Sequence, residues 1–359
     1  MDVTPEQYAA QRHPVRGHRN PERMDRPVWA WLVREGISAW AAAQKFDAPS
    51  ALAVGPGWCF DRFGCSSTPL PDGRVLRIAG EHEDHYDPDF YIYNDVIVLH
   101  PGGDIEIFGY PEDAFPATDF HSATLVGESV WIVGNLGYPD RRQPGLTQVC
   151  RLSLDTFAIE QVETTGEGPG WLHAHTATLT EGGIVVSRGI VERDGTLHDN
   201  IDDWRLDLSS LAWTRLTTRP FQSWSVSRED GEPLMYWELS QYAWHLEHPD
   251  VAGGVDFAEQ LGPRRAHFDR DLVRQLFEPP LDHQPVEPSD DDDDADNTRY
   301  DTAQLCVGDA LVRYDDTRTA LVVKIEGRLS EDDTRILLDD LTAKLSALQG
   351  APCHARRTS

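Results

Sequence analysis

The feature that most constrains the fold is a segment that recurs along the chain at nearly constant spacing. "STPLPDGRVLRIAG", "SATLVGESVWIVG" and "TATLTEGGIVVSRG" align on Thr68, Thr124 and Thr178, which are 56 and then 54 residues apart. Each copy holds a short strand, a turn that contains glycine, and an apolar strand that ends at glycine, which is the pattern of a β-hairpin. A period of this length is typical of the four-stranded blades of a propeller.

A second hairpin follows each of these segments after a longer polar loop. Its first strand is predicted at 93–100, 147–154 and 202–209, and a further strand follows a short turn in every copy. Three copies of hairpin, long loop and hairpin predict three antiparallel four-stranded sheets between about residues 58 and 217.

These repeats resemble Kelch repeats of the galactose-oxidase-like propeller class. The resemblance rests on "FHSATLVGESVWIVGN", "HAHTATLTEGGIVVSRG" and "DDWRLDLSSLAWTRL", and it covers residues 59–217. The paired glycines of the family read Gly80-Glu81, Gly134-Asn135 and Arg188-Gly189 here. No copper ligand of galactose oxidase can be matched to a position of this chain, so copper chemistry is only an analogy of fold.

The resemblance implies a mainly β protein with a Kelch-like β-propeller of three or four recognisable blades. Closed propellers have four to eight blades, so residues 221–250 either form a diverged fourth blade or cap an incomplete ring. We expect an N-terminal arm with Trp-rich helices over 1–57, blades over 58–250, a helical, Pro-rich and acidic linker over 251–299, and a small strand-strand-helix module over 300–359. Ser330 and Gly350 are the predicted start and end of the last helix.

Charge restricts the partners that this chain can bind. Asp and Glu outnumber Lys and Arg by 61 to 32, which gives a formal net charge of −29. Such a field repels phosphate backbones and anionic lipid, so we expect neither nucleic acid nor membrane as a partner, and a basic protein as the better candidate. The five cysteines form no close pair, and the first 30 residues contain no apolar signal core, so we expect reduced thiols and a cytoplasmic location. The sequence does not indicate an oligomeric state.

The run "GEHEDHYDPDF" at 80–90 is the densest group of metal-ligating side chains. Carboxylates suit manganese, calcium or magnesium, and imidazoles extend the choice to iron or zinc. An acidic loop between two strands explains the same residues without a metal. The candidate ligands for a divalent metal are Glu81, His82, Glu83, Asp84, His85 and Asp87.

A second candidate set recurs near the first strand of the later repeats. It consists of Asp119 and His121 in the second repeat and His173 and His175 in the third. Equivalent positions of successive blades face a common axis, so these side chains could meet and serve as metal ligands or general acids and bases. Repetition of a structural polar residue is the alternative explanation.

The long loop at 135–145 is the candidate surface for a protein partner. It carries Tyr138, Arg141 and Arg142, and Tyr and Arg are enriched at interface hot spots. A solvated loop without a partner has the same composition.

The sequence therefore favours a non-catalytic protein-interaction scaffold with a strongly acidic surface. The first alternative is a metal-dependent hydrolase, lyase or isomerase that uses the His, Asp and Glu cluster. The second is an acidic inhibitor or immunity-type binder of a basic protein. No nucleophile elbow, P-loop or zincin motif is present to decide for an enzyme.

Overall fold

The computed structural model describes residues 3–82, 86–193, 195–251, 254–286 and 301–358. Their strands form several antiparallel sheets, so the protein is mainly β as expected. The chain divides into two compact units between Thr218 and Arg219. We refer to the part before this point as unit 1 and to the part after it as unit 2.

Unit 1 begins with four short helices. They are α1 (Pro5–Gln11), α2 (Pro27–Glu35), α3 (Ala39–Lys45) and α4 (Ala51–Val54). Thr4 caps α1 through a reciprocal capping box with Gln7, and Gly36 ends α2 in the left-handed region at a φ of 61°. The N-terminal arm thus contains a helix, and the side chains of the capping box accept hydrogen bonds from backbone N–H groups at its start.

Eighteen described strands follow the order of the predicted repeats in unit 1. They are β1 (Glu22–Arg23), β2 (Ser66–Pro69), β3 (Val75–Ile78), β4 (Glu81–His82), β5 (Tyr91–Ile92), β6 (Asp95–Leu99), β7 (Ile105–Gly109), β8 (Ser122–Val126), β9 (Ser129–Val133), β10 (Val149–Ser153), β11 (Ile159–Gln161), β12 (Trp171–His173), β13 (Thr176–Thr180), β14 (Gly183–Ser187), β15 (Ile190–Arg193), β16 (Thr196–Asp199), β17 (Trp204–Asp207) and β18 (Ala212–Arg215).

The three predicted four-stranded sheets are present. We call them sheet 1 (β2-β3-β6-β7, extended by β1), sheet 2 (β8-β9-β10-β11) and sheet 3 (β13-β14-β17-β18). In each, neighbouring strands pair antiparallel in sequence order. The long loops carry a two-stranded hairpin β4-β5 and a three-stranded sheet β12-β15-β16. The described strands do not close into a barrel or a propeller ring.

Apolar side chains join each sheet to the next. Ile78 and Val98 of sheet 1 pack with Val130 and Leu152 of sheet 2 in one buried cluster. The opposite face of sheet 2 contributes Trp131, Val133 and Val149 to a second cluster with sheet 3. The alternation of inward and outward residues along each strand therefore buries both faces of sheet 2.

The Trp-rich helices cover the other face of sheet 1, as their spacing predicts. Trp29 stacks on Trp58 with ring centroids 4.9 Å apart, and both pack with Ile97 and Ile107 of sheet 1. Trp40 does not follow the same face, because it is 68% exposed on α3. The chain leaves the helical conformation between α2 and α3, so Trp40 does not continue the helical period that buries Trp29.

Unit 2 is built on one six-stranded sheet with helices. The strands are β19 (Phe221–Arg228), β20 (Gln284–Pro285), β21 (Asp301–Val307), β22 (Ala310–Thr317), β23 (Ala320–Glu326) and β24 (Cys353–Arg357), in the order β20-β21-β22-β23-β19-β24. The helices are α5 (Tyr236–Glu247), α6 (Gly254–Leu261), α7 (Arg270–Arg274) and α8 (Glu331–Gln349).

This sheet changes two expectations about the C-terminal half. Residues 221–250 do not form a fourth blade, because β19 pairs with β23 and β24 and α5 packs in the same core. The C-terminal module has three strands before its helix, since Gly308 and Asp309 make a tight turn inside the segment expected to be one strand. The last helix agrees with the prediction, with Ser330 capping its start and Gly350 left-handed at its end.

Among the described residues, no helix has both the length and the apolar character needed to cross a membrane.

Replacing Trp29 by alanine should lower the free energy of unfolding of unit 1 by about 3–5 kcal/mol, because it removes a fully buried ring that stacks on Trp58. The exposed Trp40 serves as the matched control, and its replacement should change stability by no more than about 0.5 kcal/mol. Urea-dependent hydrogen exchange at the β6 amides measures this for unit 1 alone. Equal effects of the two substitutions would contradict the described packing.

Candidate functional site

A repeated backbone contact links the first strands of the three sheets. Gly64, Phe120 and Ala174 each stand two residues before such a strand, with φ of 58°, 47° and 52° in the left-handed region. The Phe120 N–H donates to the Gly64 carbonyl at 2.8 Å, and the Ala174 N–H donates to the Phe120 carbonyl at 2.7 Å. The left-handed region is energetically unfavourable for residues other than glycine. The backbone hydrogen bond therefore stabilises an unfavourable conformation at both Phe120 and Ala174.

Two of the predicted histidines lie directly after these left-handed residues and reach across to the preceding sheet. The Nε2 of His121 is 2.8 Å from the hydroxyl of Ser66, and the Nε2 of His175 is 2.8 Å from the hydroxyl of Ser122. The same contact thus joins sheet 2 to sheet 1 and sheet 3 to sheet 2. The serines were not singled out from the sequence, although a serine or threonine begins every repeat and was the available signal.

The imidazole of His175 packs closely against the backbone at Gly134. A Cβ added at Gly134 would lie 2.7 Å from Cε1 of His175, so a side chain at position 134 would collide with the imidazole. Gly134 also has a φ of 79°, which favours glycine independently. The glycine that ends β9 is therefore required by the histidine of the next sheet.

Burial keeps all three histidines neutral. It lowers the pKa of His121 and of His175 to about 3, and for His175 the nearby His121 and His173 act in the same direction. Burial and the charge of Arg142 lower the pKa of His173 to about 4. His175 is thus near enough to the other two imidazoles to be affected by their charge, but His173 lies in β12 and pairs with Ile190 instead of linking two sheets.

Asp119 belongs to a separate buried network. Its carboxylate accepts a hydrogen bond of 2.6 Å from the Gly137 N–H, and its own N–H donates to Oδ1 of Asn135 at 3.0 Å. Burial raises the pKa of Asp119, while the hydrogen bonds from Gly137 and Glu81 oppose that rise. Glu81, a candidate metal ligand, therefore lies beside a second carboxyl.

The loop predicted to bind a partner uses two of its three candidate residues internally. The Tyr138 hydroxyl accepts a hydrogen bond of 2.9 Å from the Ile92 N–H in β5. The Arg142 guanidinium pairs with Glu192 in β15 at 3.0 Å and donates to the carbonyl of Leu136. Arg141 stays exposed on the surface. Tyr138 and Arg142 thus tie this loop to the loops of the sheets on either side.

The candidate metal run is only partly described. Glu83, Asp84 and His85 lie outside the described residues, and Asp87 is half-buried with its carbonyl accepting from the Phe90 N–H. Within the described ranges, no group of three His, Cys, Asp or Glu side chains is placed to hold a metal ion.

His82 lies beside Cys59, one of the five cysteines expected to be reduced thiols. Burial alone would raise the pKa of Cys59, but a hydrogen bond and the charge of His82 lower it below its ordinary value. The thiol also donates to the Asp61 carbonyl at 3.1 Å, and Cys59 is 1% exposed. No local sequence motif predicts this pair, because the two residues are 23 positions apart and are brought together only by the tertiary structure.

Comparison with known proteins gives likenesses to solved structures but no match to a sequence family. No family model matches the sequence, and no curated protein matches it. The chain is similar to a solved structure titled "Structure of YjhT", with 13% identity and a TM-score of 0.30. The match covers 45% of this chain and spans about half, 53%, of that one.

The histidine contacts predict a pH dependence of the stability of unit 1. The unfolded chain takes up protons on His121 and His175 near pH 6.5, whereas the folded chain resists protonation down to about pH 3. Their contribution is therefore fully present above about pH 6.5 and is lost as the pH falls toward 3. Urea-dependent hydrogen exchange at the β8 and β13 amides should show this loss.

His121→Gln and His175→Gln should each reduce the slope of stability against pH over that range. His198→Gln, at an exposed histidine, is the control and should keep the wild-type slope. Burial raises the pKa of Asp119, so its contribution to stability changes with pH in the direction opposite to that of the histidines. Asp119 is present in every variant, so this contribution cancels in the comparison. A wild-type slope in His175→Gln would show that this imidazole is not buried neutral.

Proposed function

We propose that unit 1 is an incomplete Kelch-like propeller of three blades that serves as a non-catalytic scaffold for a basic protein partner. Three features support the blade assignment. The sheets have four antiparallel strands each, apolar clusters join consecutive sheets, and the same backbone and histidine contacts recur between them.

The observation that carries the proposal is the use of the catalytic candidates inside the protein. His121 and His175 each bind a serine of the neighbouring sheet, and Asp119 binds the Gly137 N–H while it is 0% exposed. A general acid or base must come within hydrogen-bonding distance of its substrate. The two histidines instead contact the preceding sheet, and Asp119 holds the backbone that follows β9, so these side chains serve the packing of unit 1.

The surface that remains for function is the end of unit 1 where the long loops lie. In sheets 1, 2 and 3 the connection from the second strand to the third leaves the same end, because the strands alternate in direction. Hydrogen bonds through Tyr138 and the Arg142–Glu192 pair join these three connections into one surface. Exposed Asp113 and Asp140 lie on this loop end.

The net charge of −29 indicates the kind of partner. A field of this sign accelerates association with a basic protein and opposes an acidic one. Such an interaction weakens as salt shortens the range of the field. The scaffold is therefore expected to hold a basic partner through contacts that depend on ionic strength.

Charge reversal at the two ends of the sheets tests this function. Asp113→Lys with Asp140→Lys changes the loop end, and Asp104→Lys with Asp155→Lys makes the same change in charge at exposed positions of the opposite turns. A basic protein captured from the source cells at about 50 mM salt should be released at about 500 mM. It should bind the loop-end variant at least about tenfold more weakly and the turn-end variant as tightly as the unaltered chain.

Two results would contradict the proposal. One is equal affinity for both variants, which would mean that the loop end does not contact the partner. The other is turnover of a substrate that is lost in His175→Gln while hydrogen exchange shows the sheets intact, which would make this imidazole catalytic.

A further inference from the structure

Helix α5 of unit 2 has an aromatic side that the core of the unit does not cover. Tyr236, Leu239 and Tyr242 are buried on one side of the helix. Trp237 and Trp244 lie on the other side and are 53% and 43% exposed. They are two turns apart, so they stand in line along the helix. The outer side of a surface helix is normally polar, so this apolar line indicates a further contact.

Few tryptophans of this chain are exposed. The sequence has 11 of them, and those counted among the exposed large apolar side chains are Trp40, Trp237 and Trp244. Two of the three therefore lie on one helix. Single exposed apolar residues are common on protein surfaces, whereas a contiguous exposed group marks a surface for a partner.

Further rings join the two tryptophans into one surface. Phe257 of α6 packs edge-on against Trp237 with ring centroids 5.2 Å apart, and it stacks on His245 at 5.4 Å. His245 in turn contacts Trp244 edge-on at 4.9 Å. The series ends at His248, which stacks on Trp244. We call these five rings the aromatic surface.

Contacts within unit 2 hold the end of this surface in place. The His248 ring lies 4.2 Å from the Trp244 ring at an interplanar angle of 19°, and its Nδ1 is 2.9 Å from the Trp244 carbonyl. The buried side of α5 anchors the helix in the core. Side chains that are already ordered lose little conformational freedom on binding, which favours their use as contacts.

The charged residues of the two helices are all acidic. α5 and α6 contain Glu238, Glu247, Asp256 and Glu259 and neither lysine nor arginine. Arg274 of α7 pairs with Glu247 and offsets one of these charges. The carboxylates that remain attract a cationic partner and repel an anionic one.

Other tryptophans of this chain show which cation suits such a ring. In the described part of the chain, an arginine or lysine lies over the rings of Trp29, Trp31, Trp58, Trp131, Trp204 and Trp224. In five of these six contacts the cation is arginine. A guanidinium is planar and weakly hydrated, so it stacks on an aromatic face more readily than an ammonium group does.

From these features we infer that the aromatic surface binds a basic segment of a protein partner, with arginine side chains on the rings of Trp237 and Trp244. The ring faces and the carboxylates of both helices select the same charge. The rings lie along the outer side of a helix, whereas small-molecule sites are concave, so a protein segment that runs along the helix suits them better. This inference concerns unit 2 and does not rest on the loop end of unit 1.

Nuclear magnetic resonance of the full chain with isotope-labelled tryptophan tests this inference. An oligo-arginine peptide at about 150 mM salt should shift the indole N–H signals of Trp237 and Trp244. The signal of Trp40, which is exposed in unit 1, is the control and should stay in place. An oligo-lysine peptide of the same length should bind at least about threefold more weakly, because it has the same charge but stacks less well.

Substitutions separate the rings from the general negative field. Trp237→Leu and Trp244→Leu should each weaken oligo-arginine binding about threefold, read from the signal of the tryptophan that remains. Leucine keeps an apolar side chain and a good helix former, so circular dichroism should show α5 intact. Trp40→Leu is the matched control and should bind the peptide as tightly as the unaltered chain.

Three results would overturn the inference. Equal affinity for the arginine and lysine peptides would mean that charge alone attracts them. Unchanged binding in both leucine variants of α5 would place the peptide elsewhere. A dimer in sedimentation that Trp244→Leu converts to a monomer would assign the surface to a second copy of this chain. Peptide binding at the loop end of unit 1 does not depend on these two rings, so the scaffold function is tested separately.

Discussion

The structure of unit 1 depends on one repeated contact between the first strands of its sheets. The N–H of a left-handed residue donates a hydrogen bond to the carbonyl of the equivalent residue in the preceding sheet. The histidine that follows it in the sequence binds the serine that starts that preceding sheet. Without it, each sheet would be an isolated set of four short strands with an apolar face exposed to water. The contact fixes the spacing at which the apolar clusters on both sides of sheet 2 can close.

The ends of the series show how the contact stops. Cys65 stands where the later sheets have His121 and His175, so sheet 1 has no imidazole to reach a preceding sheet, and helices cover its outer face instead. At the other end, Thr176 takes the place of Ser66 and Ser122, and its hydroxyl donates to the carbonyl of Ser187 within sheet 3. The first sheet thus lacks the histidine of the contact and the last sheet lacks the serine, as expected for three sheets in a row rather than a closed ring.

The sequence predicted what depends on local pattern. The hairpins around Thr68, Thr124 and Thr178, the cap at Ser330 and the N-terminal helices all follow from turn chemistry, capping and periodicity, which neighbouring residues determine. The equivalent contacts of His121 and His175 were also predictable, because the two residues occupy equivalent repeat positions. The Cys59–His82 contact and the partners of Arg142 were not, because they arise between distant segments. Residues 221–250 were misassigned since a strand pattern does not say which sheet the strand joins.

Positive charge is scarce in this chain, and the arginines show how it is used. Arg62 is buried against Asp95 and lies 3.4 Å from the centre of the Tyr93 ring, Arg142 pairs with Glu192, and Arg313 lies 3.8 Å from Glu326 in unit 2. Each compensates a carboxylate that burial would otherwise make costly.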